Sequence, residues 1–306
     1  MKKEKEQNFV SAVVYVRNNA KTILPFLDHV YTEMDELFRD FEIICVNDAS
    51  TDASEDAIRA FAKEKQHAVT LINMGFVQGA ELCMNAGEDL AIGDFVYEFE
   101  SACVTWPEDM IERLYRKMQE GYDIISACPE GKVRFSSRVF YGVFNKYSNI
   151  STKIRTEAFR LVSRRAINRT MAMSHVQMYK KAAFANTGLK QTFLTFTPHA
   201  GADKKSGKER RSLATDSLIL FTDIGYKIAF VLSIVMLIFA AIVGIYTVVI
   251  YAAGHPVEGW TPIMIFLAIG FFMLFAILTF VLKYLSLILN LNFRRQRYVV
   301  QEVEKL

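Results

Sequence analysis

The stretch Phe41–Phe61, FEIICVNDASTDASEDAIRAF, decides the fold. FEIICVN is an apolar run of strand length, and STDASEDAIRAF then opens a helical pattern in which Asp52 and Glu55 have the spacing of a capping box. Asp48 directly follows the buried strand. Its carboxylate is placed either to meet a ligand beyond the strand end or to serve the turn-rich run DASTD as a helix cap.

Working outward, the same alternation repeats. FVSAVVYV (Phe9–Val16) is strand-like and leads into a helix from about Ala20 to Phe38. AVTLI (Ala68–Ile72) is the third strand, followed by a helix to about Leu90. DFVYEF (Asp94–Phe99) is the fourth. Pro107 suits the first turn of the helix PEDMIERLYRKMQE and Gly121 its end, and YDIISA (Tyr122–Ala127) is the fifth strand. Strands alternating with helices of this length predict an α/β fold, a mostly parallel sheet with helices on both faces. Ligands of such sheets bind beyond the carboxyl ends of the strands.

Past about residue 225 the composition changes. Ile228–Tyr251 and Ile263–Leu282 contain no charged side chain, and each is long enough to cross a bilayer as a helix. KKSGKERR (Lys204–Arg211) precedes the first run and FRRQR (Phe293–Arg297) follows the second, whereas the connecting AAGHPVEGWT lacks Lys and Arg. The positive-inside rule then predicts a two-pass protein of the cytoplasmic membrane with both termini cytoplasmic. The expected organisation is a cytoplasmic domain (1–211), an interfacial helix (212–226), two transmembrane helices within 227–290 (about 228–251 and 263–282) and a cytoplasmic tail (291–306). The amino terminus runs straight into a strand-like segment and does not read as a signal peptide. The four cysteines lack metal-ligand spacing and read as reduced thiols. A net charge of +3 is too small to point to nucleic acid, and the basic clusters beside the apolar runs suit anionic headgroups or phosphates.

An ordered set of strand-end motifs carries a resemblance: Asn18-Asn19, VNDASTD (Val46–Asp52), Asn73-Met-Gly75 with Ala80 and Asn85-Ala-Gly87, and Gly93-Asp94. FRLVSRRAI (Phe159–Ile167), the paired apolar runs and the tail RRQRYVVQEVEKL complete it. The chain resembles the family 2 glycosyltransferases, in particular the polyprenyl-phosphate branch related to dolichol-phosphate mannose synthase. The resemblance implies a GT-A-like domain that passes a sugar from a nucleotide sugar to a polyprenyl phosphate at the cytoplasmic membrane face. It places Asn18, Asn19, Asp48, Asn73 and Gly75 on the nucleotide. Arg160, Arg164, Lys205, Lys208, Arg210 and Arg211 become candidates for phosphate or lipid phosphate, and Glu100 and Glu157 for catalysis. Membrane lipids and a homo-oligomer or related glycosyltransferase partner are also implied.

The pattern breaks at its acids. Matching Trp106-Pro107-Glu108 to the family's P-P-E puts Glu100 at the first Asp of D-x-D and Ala102 at the second, the metal-ligating one. Glu98 and Glu100 fall on one face of an extended strand and are the candidate ligands for Mg²⁺ or Mn²⁺. Asn19, Asn47 and Ala158 also stand where the family carries acids. Two readings follow, a working glycosyltransferase with an unusual site, or a catalytically impaired partner subunit in glycan assembly.

Overall fold

The computed structural model describes residues 4–130, 155–173, 180–198 and 298–306, with scattered positions between 231 and 288. The chain divides into two compact units, one of Met1–Asn145, Ile150–Leu213 and Arg295–Leu306, the other of Lys146–Asn149 and Ala214–Arg294.

The first unit is built on β1 (Val10–Val16), β2 (Phe41–Asn47), β3 (Ala68–Met74), β4 (Phe95–Phe99), β5 (Ile124–Pro129), β6 (Phe159–Ser163), β7 (Gln191–Phe196) and β8 (Val300–Lys305). They form one sheet in the order β7-β5-β6-β4-β1-β2-β3-β8. β1 runs parallel to β2 and β4, β2 to β3, and β5 to β7, whereas β6, between β5 and β4, and β8, at the edge beside β3, run antiparallel to their neighbours. The helices are α1 (Ile23–Leu37), α2 (Ser54–Ala62), α3 (Ala80–Leu90), α4 (Met110–Gln119), α5 (Arg164–Met173) and α6 (Lys180–Ala185).

Two cores flank the sheet. Residues of α1, α2 and α4 cover one face, with Phe26, Phe99, Trp106 and Phe159 in edge-to-face and stacked contact. Residues of α3, α5 and α6 cover the other, over Val13, Ile44, Val96 and Val162. Alternation along β4 therefore sends Tyr97 and Phe99 to the aromatic core, and Val96 and Glu98 to the α3 side.

Two local readings shift. The Asp52–Glu55 capping box does not form. α2 starts at Ser54, Asp52 accepts the backbone N–H and hydroxyl of Ser54, and Glu55 turns to Arg59 and Asn73. α4 begins at Met110, beyond Pro107, and its end at Gly121 (φ 91°) needs the left-handed conformation that glycine supplies.

Gly93 is required by close approach. A Cβ there would lie 2.6 Å from the Ser11 backbone nitrogen and 2.9 Å from the Phe95 carbonyl oxygen. Gly93→Ala is expected to push β1 and β4 apart at the cost of about 1–3 kcal/mol, read as a lower denaturation midpoint. An unchanged midpoint would show that the strand edge gives way freely.

Among the described residues no helix is long and apolar enough to cross a membrane. Most of the two apolar runs, the expected interfacial helix 212–226 and the basic residues Lys205, Lys208, Arg210 and Arg211 lie outside the described residues. The positions described within the runs are helical, and several large apolar side chains among them are exposed, including Val235, Ile242, Phe271 and Leu278.

Candidate functional site

The carboxyl ends of β1 to β4 gather most of the residues singled out in the sequence. Asn18 adopts φ 52° and its side-chain oxygen accepts the Thr51 N–H at 2.9 Å. Asn19 accepts the Arg17 N–H, and its own N–H donates to Ser54. These bonds staple the β1 loop to the turn after β2. That turn contains Ala49 at φ 48°, a strained conformation for a residue with a Cβ. Side-chain hydrogen bonds thus tie the two loops of the crevice rim together.

Asp48 is fully buried and works inward. One oxygen accepts the Gln78 N–H at 2.7 Å, and the other accepts the Gly79 N–H at 3.0 Å and the Tyr15 hydroxyl at 2.9 Å. It fixes the loop between β3 and α3. Asn73 accepts from Asn47 and donates to Glu55 and Glu304. Gly75 donates its N–H to the Val299 carbonyl. Both Asn73 and Gly75 thus touch the carboxyl-terminal segment, which pairs along β3 as β8.

Arg164 lies elsewhere. It follows β6, which runs antiparallel to β4, and so sits at the opposite end of the strands, by the start of β4, where its guanidinium donates to the carbonyls of Ala91 and Gly93. The structure does not bring it together with the crevice residues.

The other charged candidates converge between β4, β6, α3 and α6. Antiparallel register sets Arg160 directly opposite Glu98. The Arg160 guanidinium, 2% exposed, lies 3.4 Å from Glu98 and 2.8 Å from Glu157, and also contacts Glu100. Lys180, 1% exposed, pairs with Glu88 and approaches Glu98 at 3.4 Å, while its backbone N–H donates to Glu81. Lys181 lies 3.3 Å from Glu157. A pocket beside this cluster is lined by Ser126, Arg155, Glu157, Arg160, Lys181 and Gln191, among others.

The electrostatics follow from burial. Desolvation pushes the Glu98 carboxyl up to about 8 against the opposing pull of Arg160, and likewise pushes Glu81 up to about 7. It pulls the Lys180 ammonium down to about 7. Burial also weakens the Arg160 cation, but Glu157, Glu98 and Glu100 together outweigh it and hold its pKa above the ordinary arginine value. Burial thus favours the neutral forms of Glu98, Glu81 and Lys180, while Arg160 is held charged.

Where the family pattern expects acids, apolar packing has taken over. Ala102 is 1% exposed inside the aromatic core beside Trp106, and Ala158 packs against the same core. Among the described residues no group of three His, Cys, Asp or Glu side chains is arranged to hold a metal ion. Glu98 and Glu100, the expected ligands, both face Arg160. The residues present do not fit a divalent cation, which needs several deprotonated oxygen donors with free lone pairs.

Sequence reasoning did not single out Lys180, Glu88, Glu81, Gln78 or Glu304. Lys180 carries no local signal beyond a lysine pair ahead of AAF, because its partners are 82 to 99 residues away.

A mostly parallel sheet with its polar residues at the carboxyl ends of β1 to β4 defines a GT-A-like α/β fold. The mannosyltransferase of Pyrobaculum calidifontis, solved in complex with GDP-Man and Mn²⁺, shares that fold. Its TM-score is 0.52 at 20% identity, over 70% of this chain and 63% of that one. The chain belongs to glycosyl transferase family 2, whose model matches residues 11–188, and is a glycosyltransferase of that family. It is 28% identical over 272 residues to a bactoprenol glucosyl transferase of Shigella phage SfX, covering 84% of this chain and 87% of the relative. It is 27% identical over 268 residues to a prophage bactoprenol glucosyl transferase homolog of Escherichia coli, covering 84% and 86%. An uncharacterized glycosyltransferase of Synechocystis is 26% identical over 257 residues, covering 78% and 79%.

Proposed function

We propose that this chain transfers a sugar from a nucleotide sugar to a polyprenyl phosphate at the cytoplasmic face of a membrane. The observation that carries the reading is the reach of the likeness. The bactoprenol glucosyl transferase alignment extends over 272 residues, well past the 11–188 segment of the family match. It must therefore enter the region of the apolar runs. The exposed apolar side chains at helical positions of those runs support a lipid-facing segment. The organisation proposed with this function is a catalytic domain (1–211), an interfacial helix (212–226), a two-helix hairpin (227–290) and a tail (291–306).

A phosphate acceptor also makes sense of the missing acids. A phosphate monoester is already largely anionic near neutral pH, its second pKa lying at about 6. Its oxygen can attack the anomeric carbon without a general base to remove a proton. The sugar–oxygen bond to the nucleoside diphosphate breaks as the new bond to the acceptor oxygen forms, and the diphosphate leaves with the electron pair. The protein's task is then to orient the two anions and stabilise charge on the leaving group, which fixed donors and cations perform. In this reading Asn18, Asn19, Asp48, Asn73 and Gly75 frame the nucleotide. Glu100, Glu157 and Arg160 border the reaction, and Lys205, Lys208, Arg210 and Arg211 meet the lipid phosphate.

The full chain in detergent, given radiolabelled UDP-glucose or GDP-mannose and undecaprenyl phosphate, is expected to move label into the organic phase. No transfer with any nucleotide sugar tried, from protein that still binds the nucleotides, would favour the alternative of an impaired partner subunit. The closed ion cluster at Glu98 and Arg160 is the feature that would explain it.

A further inference from the structure

We infer that the strand-end corner of β4 takes no divalent cation, and that Arg160, closed in by Lys180, stands there as the resident cation, so that nucleotide recognition by this chain is independent of metal. The statement about the nucleotide rests on the proposed glycosyl transfer, and the statement about the metal stands on the corner alone.

Four observations converge. Arg160 is fixed opposite Glu98 by strand register and also holds Glu100 and Glu157, so both candidate ligands are ion-paired to one guanidinium. Lys180 enters from α6 and closes the cluster from the far side, against Glu88 and Glu98. Ala102, at the second position of the D-x-D corner, is buried in the aromatic core and offers no side-chain oxygen. Finally, Arg160 and Lys180 are each buried to within 2% of full enclosure, so neither can swing to solvent to make room for an ion. A metal would have to displace a buried cation from its carboxylates and leave it unpaired.

What a metal supplies to a nucleoside diphosphate is positive charge that needs no rearrangement during reaction, and fixed side chains can supply the same. The pocket next to the cluster presents Arg155, Arg160 and Lys181 together with Ser126 and Gln191. The Arg155 guanidinium is held over the Phe193 ring at 5.4 Å. Cations from β6, from α6 and from the segment ahead of β6 thus border one space, and Arg160 and Lys181 share Glu157.

The test uses the full chain in detergent, with UDP and GDP as nucleotide probes and Mn²⁺ as the metal probe. Calorimetric affinity for the nucleotide in EDTA is expected to agree with that in Mn²⁺ within about twofold. Paramagnetic resonance of free Mn²⁺ is expected to show no saturable uptake by the protein, alone or with nucleotide beyond what the nucleotide itself binds. A rise in nucleotide affinity of about tenfold or more with Mn²⁺, lost in Glu100→Gln, would overturn the inference. Saturable Mn²⁺ uptake abolished by Glu98→Gln or Glu100→Gln would overturn it equally. If neither nucleotide binds in either buffer, those donors fall as substrates, and the Mn²⁺ titration alone still decides the metal.

Discussion

Arg160→Met is expected to cost the sheet domain about 3–5 kcal/mol, the usual penalty for removing one partner of a buried ion cluster. Without the guanidinium, Glu98, Glu100 and Glu157 face one another with Lys180 and Lys181 as the remaining cations of the cluster. The loss would appear in denaturant unfolding followed by tryptophan fluorescence, Trp106 sitting at 2% exposure in the aromatic core against Phe159, the chain neighbour of Arg160. Glu98→Gln is the informative companion. Burial already favours the neutral acid at this position, so the amide should be tolerated far better, and the double variant should recover part of the Arg160→Met loss. Stability of Arg160→Met equal to the parent would show that the cluster opens to water and that its carboxylates are available to other cations.

Removal of residues 298–306 is the second large effect. β8 pairs antiparallel with β3 from Thr70 to Met74, and each lost ladder bond is worth roughly 0.5–1.5 kcal/mol net. The side-chain ties go with it. Arg59 pairs with Glu304 at 2.7 Å, Gln78 exchanges two hydrogen bonds with the Val299 backbone, and Tyr298 donates to Asp89. A total of about 2–4 kcal/mol is expected after the freed tail regains its entropy. The exposed β3 edge should also raise aggregation. Because Asn73, Gly75 and Gln78 all lean on the tail, nucleotide binding should weaken more than in Glu304→Ala, which removes only the Arg59 and Asn73 contacts. Equal nucleotide affinity in the truncated and parent proteins would separate the tail from the crevice.

The first five strands and their helices were legible in the sequence because each is announced locally. Apolar runs such as FEIICVN and the 3.6-residue spacing of PEDMIERLYRKMQE depend on neighbours a few positions away. The crevice residues Asn18, Asn19, Asp48 and Asn73 were legible for the same reason, as polar residues placed just where a buried strand stops. Asp48 shows the limit of that reading. Both openings left by the sequence, ligand contact or turn support, suit its position, and only the fold shows its two oxygens accepting from Gln78, Gly79 and Tyr15.

What the sequence by itself determined is thus the alternating α/β order, the strand-end positions and the two long uncharged runs, all properties of short windows of chain. The tertiary structure alone decided the charge partners. Arg160 and Arg164 are four residues apart and were read alike, yet strand β6 carries one to the crevice end of β4 and the other to its opposite end. Glu98 and Glu100 read as metal ligands until register set Arg160 against them, and Lys180 had no signal until α6 buried it beside Glu88. The tail read as a cytoplasmic extension and became an edge strand. Ionic partnership depends on distance and burial in space, and neither is encoded in the spacing of residues along the chain.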